Sequence, residues 1–514
     1  MLFEVRYSDL AGRIGKIKTP NGTIETPAFI PVVHPVSQSV DVEFLKRLGF
    51  EAVITNAYIT LKQYGDIARQ KGIHNIINFD GPIMTDSGGY QVLEYGSIEL
   101  EPSFIAQFEE EIQSDICVPL DKPTGYGLSY EVAEKYVNET IRNSEETLNL
   151  IKSNNKPNSI WVGPVQGAEH LDLVKRSAEL LDEMGYEMMA LGSPVQLLES
   201  YEFAVLANMI GTLKSTVMSK PIHLFGAGHP LTIPLAVALG CDTFDSASYI
   251  MYARDNRYMH PNGTSRLDNL TYLACQCPVC IKMTVREFID LEQDEKIVEL
   301  AKHNLYVLRS EVLSVKQAIM EGRLWEYVAQ KARAHPKLME AFKLFMNYKH
   351  LEDGTPLFKK KAIFFMESID QYRPEACRIR RIFSSFGTNK KKIVLFPDTQ
   401  VSPFYCSQEY FDLSKKFSDY QICTYNPFIG IIPIEISDIY PVAHNLITRK
   451  KFNFNNDKDY PTFVTSLEKF LSSNFFDDVI IVADDFMQGI IQDVKIISKN
   501  LKIIKHSHDI IEQL

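Results

Sequence analysis

Three cysteines and one histidine are spaced as ligands for a metal ion. Cys275, Cys277 and Cys280 lie close together in CQCPVC, and His303 follows in EKIVELAKHNLYVL. This spacing is too tight for a set of disulfides, whereas thiolates so placed can converge on one tetrahedral zinc ion. The alternative is three buried or oxidisable thiols beside an unrelated histidine. We favour a zinc site closed by four protein ligands, which stabilises the fold and takes no part in catalysis.

Polar residues that could take part in catalysis or binding also recur where short apolar runs end. In chain order they are Asp86, Asp121, Gln166, Gly192 with Ser193, Gly226 with Gly228, and Asp245. Aspartate and glycine are ordinary turn residues, so any one of them alone carries little information. Their repeated position at the end of a run favours a shared pocket of three carboxylates, one amide and several glycines.

The runs that must position these residues read as β-strands separated by amphipathic helices. They are PAFIPVV, EAVITN, PIMTD, DICVPLD, IWVGPVQG, MMALGS, PIHLFGAG and CDTFDSA. Alternation of about eight strands with helices predicts an α/β fold, a parallel (β/α)₈ TIM barrel whose chemistry lies at the C-terminal ends of the strands. A hairpin with Asn21 and Gly22 at its turn is expected to precede the barrel.

The whole chain divides into four segments by composition. We expect a catalytic barrel with its hairpin over 1–263, a zinc-binding and helical subdomain over 264–350, a basic linker over 351–392 and a small α/β domain over 393–514. The last segment shows no phosphate-binding glycine motif, so no nucleotide site is inferred there. Lys359 to Lys392 carries a net charge of about +7 by simple count, which is most often a solvated face.

Overall composition limits the class of protein. The 514 residues carry a net charge of -11, which disfavours non-specific binding to nucleic acid. No run approaches the roughly 18 to 20 apolar residues of a membrane helix. The start, MLFEVRYSDL, shows no secretory signal. We therefore expect a cytoplasmic protein that does not span a membrane.

Two carboxylates in one pocket suit glycosyl transfer through a covalent intermediate. Asp245, followed by small residues, could attack an anomeric carbon while Asp86, before a Gly-Gly turn, handles the proton. Asp121 and Gln166 offer the acceptors and donors that a guanine edge requires, with Gly192 and Ser193 beside them. Tyr90 offers a ring for stacking.

Residues from about 8 to 310 resemble the tRNA-guanine transglycosylase family. The matching strings are ETPAFIPV, MTDSGGYQV, PVQG, ALGSPV, GCDTFDSASY, CQCPVC and HNL. The resemblance implies that guanine in a tRNA is exchanged for a 7-deazaguanine, after the target nucleotide leaves its stack. It implies these roles: Asp245 as nucleophile, Asp86 as general acid and base, Ser87, Asp121, Gln166 and Gly192 in base recognition, Tyr90 as a stacking lid, and Cys275, Cys277, Cys280 and His303 as zinc ligands.

Within the family, ALGSPV and FDSASYIMYARDNRYM look like the archaeal enzymes. Those install 7-cyano-7-deazaguanine (preQ0) at position 15, toward archaeosine. Pro194 lacks an N–H and would narrow the donors near the base substituent. Arg254 and Arg257, just past Asp245, are expected to contact tRNA phosphates, although solvated loop arginines are an alternative. Relatives associate as homodimers. Archaeal members typically carry a PUA domain that this sequence does not display, which suggests either a separate RNA-binding chain or a larger part for 359–392 and 393–514 in holding tRNA.

Three alternatives remain. The first is a bacterial-type enzyme that inserts queuine or an aminomethyl-deazaguanine (preQ1). The second is a non-catalytic tRNA-binding paralogue, which retention of both Asp86 and Asp245 disfavours. The third is a barrel glycosidase acting on sugars, which would need neither a zinc knuckle nor a set of guanine-binding groups.

Overall fold

The structure is a computed structural model, and it describes two compact units. The described residues are 2–89, 101–153, 159–399, 401–447, 460–492, 494–495 and 498–505. The first unit is Met1–Gly354 and the second is Thr355–Leu514.

Eight parallel strands form the centre of the first unit. They are β4 (Ala28–Pro31), β5 (Val53–Asn56), β6 (Ile83–Asp86), β7 (Ile116–Cys117), β8 (Ile160–Val165), β9 (Met188–Leu191), β10 (Ile222–Leu224) and β11 (Thr243–Ser246). They are ordered β4-β11-β10-β9-β8-β7-β6-β5. The ring closes between the ends of this series, where Val32 bridges to Ile54 and the Val33 N–H donates to the Ile54 carbonyl over 2.8 Å. The predicted barrel is confirmed.

These strands are almost entirely buried because both of their faces are covered. All six residues of β8 are buried, as are all four of β9. Continuous apolar runs of this kind are typical of parallel strands lying between an inner core and an outer helical layer. Ile54, Met84 and Val162 belong to the inner core of the barrel.

Helices surround the barrel and extend beyond it. They are α1 (Val42–Leu48), α2 (Ala57–Tyr64), α3 (Asp66–Lys71), α4 (Ile73–Ile77), α5 (Pro102–Glu111), α6 (Tyr130–Ser153), α7 (Leu171–Met184), α8 (Val195–Glu199), α9 (Phe203–Thr216), α10 (Thr232–Leu239), α11 (Ser248–Arg254), α12 (Val285–Ile289), α13 (Gln293–Glu321), α14 (Leu324–Ala332), α15 (Pro336–Lys343) and α16 (His350–Gly354). In α6 the buried side chains recur every three or four residues, from Ala133 through Val137 to Ile151, which places them on one face.

An antiparallel sheet of β1 (Phe3–Asp9), β2 (Gly12–Thr19) and β3 (Gly22–Glu25) closes the barrel core from one end, with Phe3, Ile17 and Ile24 in that core. The expected turn at Asn21 and Gly22 was wrong by one residue. Thr19 pairs with Gly22, so Pro20 and Asn21 form the turn. Proline fixes φ near -65° and cannot adopt the positive φ that we expected of an Asn-Gly turn.

The second unit contains a mixed sheet of five strands. They are β15 (Lys392–Pro397), β16 (Gln421–Asn426), β17 (Gly430–Pro433), β19 (Asp478–Ala483) and β20 (Asn500–Lys505), ordered β17-β16-β15-β19-β20 with only β17 antiparallel. A separate parallel pair joins β14 (Ile363–Phe365) to β18 (Asn445–Ile447). The helices are α17 (Pro374–Ser384), α18 (Gln408–Lys416), α19 (Pro461–Asn474) and α20 (Asp485–Ile490).

The short hairpin β12 (Arg257–His260) and β13 (Gly263–Arg266) belongs to the first unit.

The basic segment before residue 393 is part of this second unit. Phe365 and Phe383 share one hydrophobic core with Leu395, so the segment folds with the sheet that follows it. The side chain of Lys359 forms a buried ion pair with Glu375, and Arg373 is fully buried beside them. Part of the positive charge that we read as a solvated face is therefore internal.

Within the described residues, no helix is long and apolar enough to cross a membrane.

Candidate active site and metal centre

The strand-end residues converge because the eight strands are parallel and their C-terminal ends meet at one face of the barrel. Asp86 ends β6 and Asp245 lies in β11. Gln166 directly follows β8, and Gly192 directly follows β9. Asp121 lies four residues beyond β7.

Asp86 is at the centre of an acidic group. Burial raises its pKa from 3.8 to about 6, and the negative charge of Asp245 adds to this rise, while the Gly88 N–H, Asn56 and His223 oppose it. The Gly88 N–H donates to Asp86 Oδ1 over 3.3 Å. A carboxyl group with a pKa near 6 can both give and take a proton at physiological pH. Asp86 and Asp245 both lie at the C-terminal ends of barrel strands, so their carboxylates belong to the same face of the barrel.

Asp245 is almost completely buried and is held by two donors. Its Oδ1 accepts the Gly226 N–H over 3.0 Å and lies 3.1 Å from Nε2 of His223. Histidine 223 occupies β10, next to β11, and is fully buried. His223 is not among the residues predicted from the sequence. A polar residue inside the apolar run PIHLF was the available signal.

Asp121 and Gln166 form a hydrogen-bonded pair. The Gln166 Nε2 donates to Asp121 Oδ2 over 2.6 Å. Burial raises the pKa of Asp121 from 3.8 to about 7, helped by repulsion from Asp86 and opposed by Gln166. A donor and an acceptor fixed side by side can pair with the acceptor and donors along one edge of a purine.

The amide of Gln166 has one possible orientation. Its Oε1 accepts the Thr124 N–H over 3.0 Å and the Thr124 hydroxyl over 2.8 Å. Because the Gly167 N–H donates to the same hydroxyl over 2.9 Å, the hydroxyl proton is directed to Gln166. Ser193 donates a further bond over 3.1 Å. The oxygen is therefore occupied, and the amide nitrogen is the group left for Asp121 and a ligand. Like His223, Thr124 is not among the residues predicted from the sequence.

Two glycines leave the space in which the side chains of Asp121 and Gln166 lie. A Cβ on Gly89 would come within 2.3 Å of Asp121 Oδ1, and a Cβ on Gly192 would come within 2.1 Å of Gln166 Nε2. Any side chain at either position would displace the Asp121–Gln166 pair. The glycines of MTDSGG and ALGS are thus part of the pocket itself.

Three other residues are predicted to belong to the site: Ser87, Ser193 and Tyr90. Ser87 is fully buried, and its hydroxyl donates to the Pro119 carbonyl over 3.3 Å, next to the Asp121 loop. Ser193 has a φ of +61°, a conformation uncommon for a non-glycine residue and often found at functional sites. Tyr90, the expected stacking lid, lies outside the described residues.

A further buried carboxyl group, that of Glu109, interacts electrostatically with Asp86. Glu109, in α5, is fully buried and accepts the Thr85 hydroxyl over 2.6 Å. Burial raises its pKa well above the ordinary value, and the charge of Asp86 contributes to the rise. A protonated Glu109 is uncharged and lets Asp86 ionise more easily than a second buried carboxylate would.

Two arginines near the site differ in their surroundings. Arg254, at the end of α11, is exposed, and within the described part of the chain it forms no ion pair. Arg257 donates to Asp255 over 2.6 Å, and Arg266 shares the same carboxylate.

The metal-ligand set predicted from the sequence comes together in space. One ligand atom each from Cys275, Cys277, Cys280 and His303 lies within 4.8 Å of all the others. Nδ1 of His303 is 3.3 Å from the Cys280 sulfur and 3.5 Å from the Cys277 sulfur. These separations are those expected between ligands of one tetrahedral ion with bonds of about 2.0 to 2.3 Å.

The surroundings of His303 fix which nitrogen faces the sulfurs. Its Nε2 donates to the Met259 carbonyl over 2.8 Å, so Nδ1 carries the free lone pair. The ring of Tyr258 stacks on it with centroids 3.8 Å apart. The donor set therefore fits a metal, with no fifth position required.

Comparison with known proteins identifies the class. The family model described as Queuine tRNA-ribosyltransferase matches residues 9–337. The chain belongs to this family, the tRNA-guanine transglycosylases, as its motifs predicted.

Particular relatives carry a narrower name. Proteins named tRNA-guanine(15) transglycosylase match from Sulfolobus acidocaldarius at 39% identity, over 93% of this chain and 95% of the relative, and from Saccharolobus solfataricus at 42%, over 86% and 90%. One from Methanococcus aeolicus matches at 38%, over 86% of this chain and 68% of the relative.

Proposed function

We propose that this enzyme exchanges guanine at position 15 of tRNA for 7-cyano-7-deazaguanine, in the route to archaeosine. Support comes from the relatives named for position 15, which align over most of this chain. The observation that carries the proposal is that Asp86 and Asp245 lie at the C-terminal ends of strands of one barrel, beside the hydrogen-bonded Asp121–Gln166 pair. One face then holds a nucleophile, a proton carrier and a purine-binding edge.

The reaction follows from the two carboxylates. Asp245 attacks C1′ of the nucleotide, the bond from C1′ to guanine N9 breaks, and Asp86 supplies the proton that guanine takes up as it leaves. The incoming base then attacks C1′, passes its proton to Asp86 and releases Asp245. Two displacements at the same carbon retain its configuration. A pKa of about 6 suits Asp86 to both proton transfers.

Base recognition is proposed for Asp121, Gln166, Gly192 and Ser87, with Ser193 beside them. The ionised Asp121 accepts from the N1–H and exocyclic amine of guanine, and the second N–H of Gln166 donates to O6. Tyr90 as a stacking lid stays a prediction. For the incoming base, a nitrile substituent needs no acidic partner, and Pro194, next to Ser193, contributes no N–H.

The Cys₃His group supports a structural zinc ion. Cys275, Cys277 and Cys280 would bind as thiolates and His303 through Nδ1. The ion would hold the segment around β12 and α13 together. We further propose that 1–263 carries the chemistry, 264–350 the zinc and 393–514 a surface that presents tRNA.

Assembly and location are also proposals. A homodimer and a cytoplasmic site of action, where tRNA substrates occur, follow from the family resemblance. A separate PUA-containing chain would supply the RNA-binding domain that archaeal relatives carry. Sedimentation of the protein, alone and with tRNA, would measure whether it is a homodimer.

One experiment tests the proposed exchange. The protein is incubated with unmodified tRNA and radiolabelled guanine or preQ0, and the altered nucleotide is mapped. We expect label at position 15 only, with none for Asp245→Asn. Asp172→Asn, which removes an exposed carboxylate on α7 bonded to Tyr130, is the matched control and should keep the activity.

The same assay separates the alternatives. Competition between preQ0 and preQ1 against labelled guanine identifies the incoming base, and preference for preQ1 would favour the bacterial-type reaction. Exchange by the Asp245→Asn protein would show that Asp245 is not the nucleophile. The absence of any exchange by the wild type would favour a non-catalytic paralogue.

A further inference from the structure

His223 is locked in place behind Asp245. In the parallel pairing of β10 with β11, His223 lies opposite Thr243, and its Nδ1 is 2.9 Å from the Thr243 hydroxyl. Its Nε2 is 3.1 Å from Asp245 Oδ1. The ring also packs edge-on against Phe225, with centroids 4.8 Å apart. Because both nitrogens are engaged and the side chain is fully buried, the ring cannot turn without losing both contacts.

The direction of the bond to Asp245 follows from the partners. A carboxylate oxygen only accepts, so Nε2 carries the proton and donates. The Thr243 hydroxyl can donate to Nδ1 or accept from it, so the bond to Asp245 is the same whether the imidazole is neutral or charged.

The two oxygens of Asp245 are consequently inequivalent. Oδ1 receives Nε2–H of His223 and the N–H of Gly226. Among the described residues, every hydrogen bond to Asp245 ends at Oδ1 and none reaches Oδ2. An oxygen with two donors has its electron density drawn toward them, whereas the other keeps its lone pairs for a bond to carbon.

We propose that His223 is a positioning residue that reserves Oδ2 of Asp245 for bonding to C1′ and stabilises charge on Oδ1 when that bond breaks. The inference rests on the proposed function, since it assigns atoms within the same reaction. It concerns a fully buried residue whose two ring nitrogens are engaged by Thr243 and Asp245.

The atoms balance in both steps. In the first, a lone pair of Oδ2 forms the bond to C1′, and the C1′–N9 pair leaves with guanine, which takes a proton from Asp86. In the ester, Oδ1 is the carbonyl oxygen and still accepts from His223 and Gly226. In the second, N9 of the incoming base bonds to C1′ and its proton passes to Asp86. The C1′–Oδ2 pair then returns to the carboxylate.

This arrangement acts unequally on the two steps. Donors bind a carboxylate more strongly than an ester carbonyl, so they favour the departure of Asp245 from C1′ and oppose its attack. Loss of the His223 donor should therefore slow breakdown of the adduct, and adduct should accumulate. The KM for the base should not change, because His223 does not touch it.

Two amide substitutions isolate the donor. In His223→Gln the amide nitrogen reaches about as far as Nε2, whereas in His223→Asn it reaches only as far as Nδ1. His350 supplies a matched control, because it is also buried, with Nε2 3.2 Å from the Leu239 carbonyl and Nδ1 3.0 Å from Ser215, away from the strand-end pocket. His350→Asn reports the cost of losing a buried histidine alone.

The test measures kcat, KM for the base and the fraction of enzyme in a denaturation-resistant adduct with tRNA during turnover. We expect His223→Asn to lower kcat by roughly 10- to 100-fold, the effect of one charge-assisted hydrogen bond, and to raise the adduct fraction. His223→Gln should recover most of both, and His350→Asn should leave the adduct fraction as in the wild type. Equal adduct fractions in the Gln and Asn variants would overturn the proposal for His223. A wild-type protein that forms no adduct would instead overturn the proposed function.

Discussion

Gln166 donates through Nε2 to Oδ2 of Asp121 over 2.6 Å, which makes the two side chains one binding edge. The amide cannot reverse, because Thr124 supplies two donors to its oxygen. The remaining groups are the second amide N–H and Asp121 Oδ1, a donor beside an acceptor. Adenine presents the opposite pattern along the corresponding edge, so under the proposed function we expect the orientation of this amide to select guanine-type bases.

The affinity for guanine should depend on pH through Asp121. Its pKa is raised to about 7, and only the ionised form accepts from the base, so affinity should rise as pH increases toward about 7 and level off above it. Below that, affinity should fall by about tenfold per pH unit. Equilibrium dialysis with labelled guanine measures this. Asp121→Asn should bind roughly 10- to 100-fold more weakly and show a flat profile. A wild-type profile that is equally flat would exclude Asp121 from base recognition.

Asp86 should make the fold less stable at neutral pH than at acid pH. Its pKa in the folded protein, about 6, exceeds the ordinary 3.8, so folding favours the protonated form. The stability it contributes is complete below about pH 4 and is lost as pH rises to about 6. Asp86→Asn removes the buried charge and should raise the free energy of unfolding by about 1 to 3 kcal/mol near pH 8. Denaturant titrations should show no such gain near pH 4, and a gain of equal size at both pH values would contradict this explanation.

A buried ion pair at the opposite end of the barrel should matter for stability alone. Arg13 of β2 donates from Nε to Asp242 Oδ1 over 3.0 Å, and Asp242 also accepts the Ile222 N–H over 2.9 Å. Asp242→Asn leaves the Arg13 charge without its partner and should cost about 3 to 5 kcal/mol, with KM for the base unchanged. Thermal unfolding compares it with Glu134→Gln, which breaks an exposed pair with Arg176 and should cost less than about 1 kcal/mol. Similar losses in both variants would contradict the importance of burial.

The sequence was sufficient for the barrel because its signal is local. An apolar run that ends in aspartate, glutamine or glycine predicts a parallel strand and the face of the barrel at which it ends, as at Asp86 and Gln166. The Cys₃His set was also readable, since three of its ligands are close in the chain.

The residues that were missed act across strands and loops. His223 meets Asp245 only because β10 and β11 are neighbours, and Thr124 meets Gln166 only through the loop after β7. The burial of Lys359 and Arg373 likewise depends on tertiary packing. No local pattern reports which partner a polar side chain will find.

Loss of the metal should destabilise the protein without a direct effect on the chemistry. Cys277→Ser or a chelator removes one ligand or the ion, and the segment around His303 then loses its anchor. We expect a lower melting temperature and less than one equivalent of zinc by elemental analysis. KM for the base should be unchanged in the fraction that stays folded. Cys406→Ser, at an exposed cysteine in the second unit, is the control. Retention of one full equivalent of zinc by Cys277→Ser would contradict the ligand set.

The two arginines past Asp245 should contribute unequally to tRNA binding. Arg254 is exposed and, within the described residues, free of ion pairs, whereas Arg257 is bound to Asp255 over 2.6 Å. A free cation at a phosphate releases counterions, so Arg254→Ala should lower the slope of log Kd against log salt by roughly 0.7 to 0.9. Arg257→Ala should change it less, because Asp255 already offsets that charge.

Asp255→Asn provides the reciprocal test of the same idea. It frees Arg257 and should tighten tRNA binding while making it more sensitive to salt, because one more cation becomes available to a phosphate. Filter binding at several salt concentrations measures all three variants. If Arg254→Ala and Arg257→Ala gave the same slope as the wild type, neither arginine would face a phosphate, and the tRNA backbone would have to cross the barrel face away from α11.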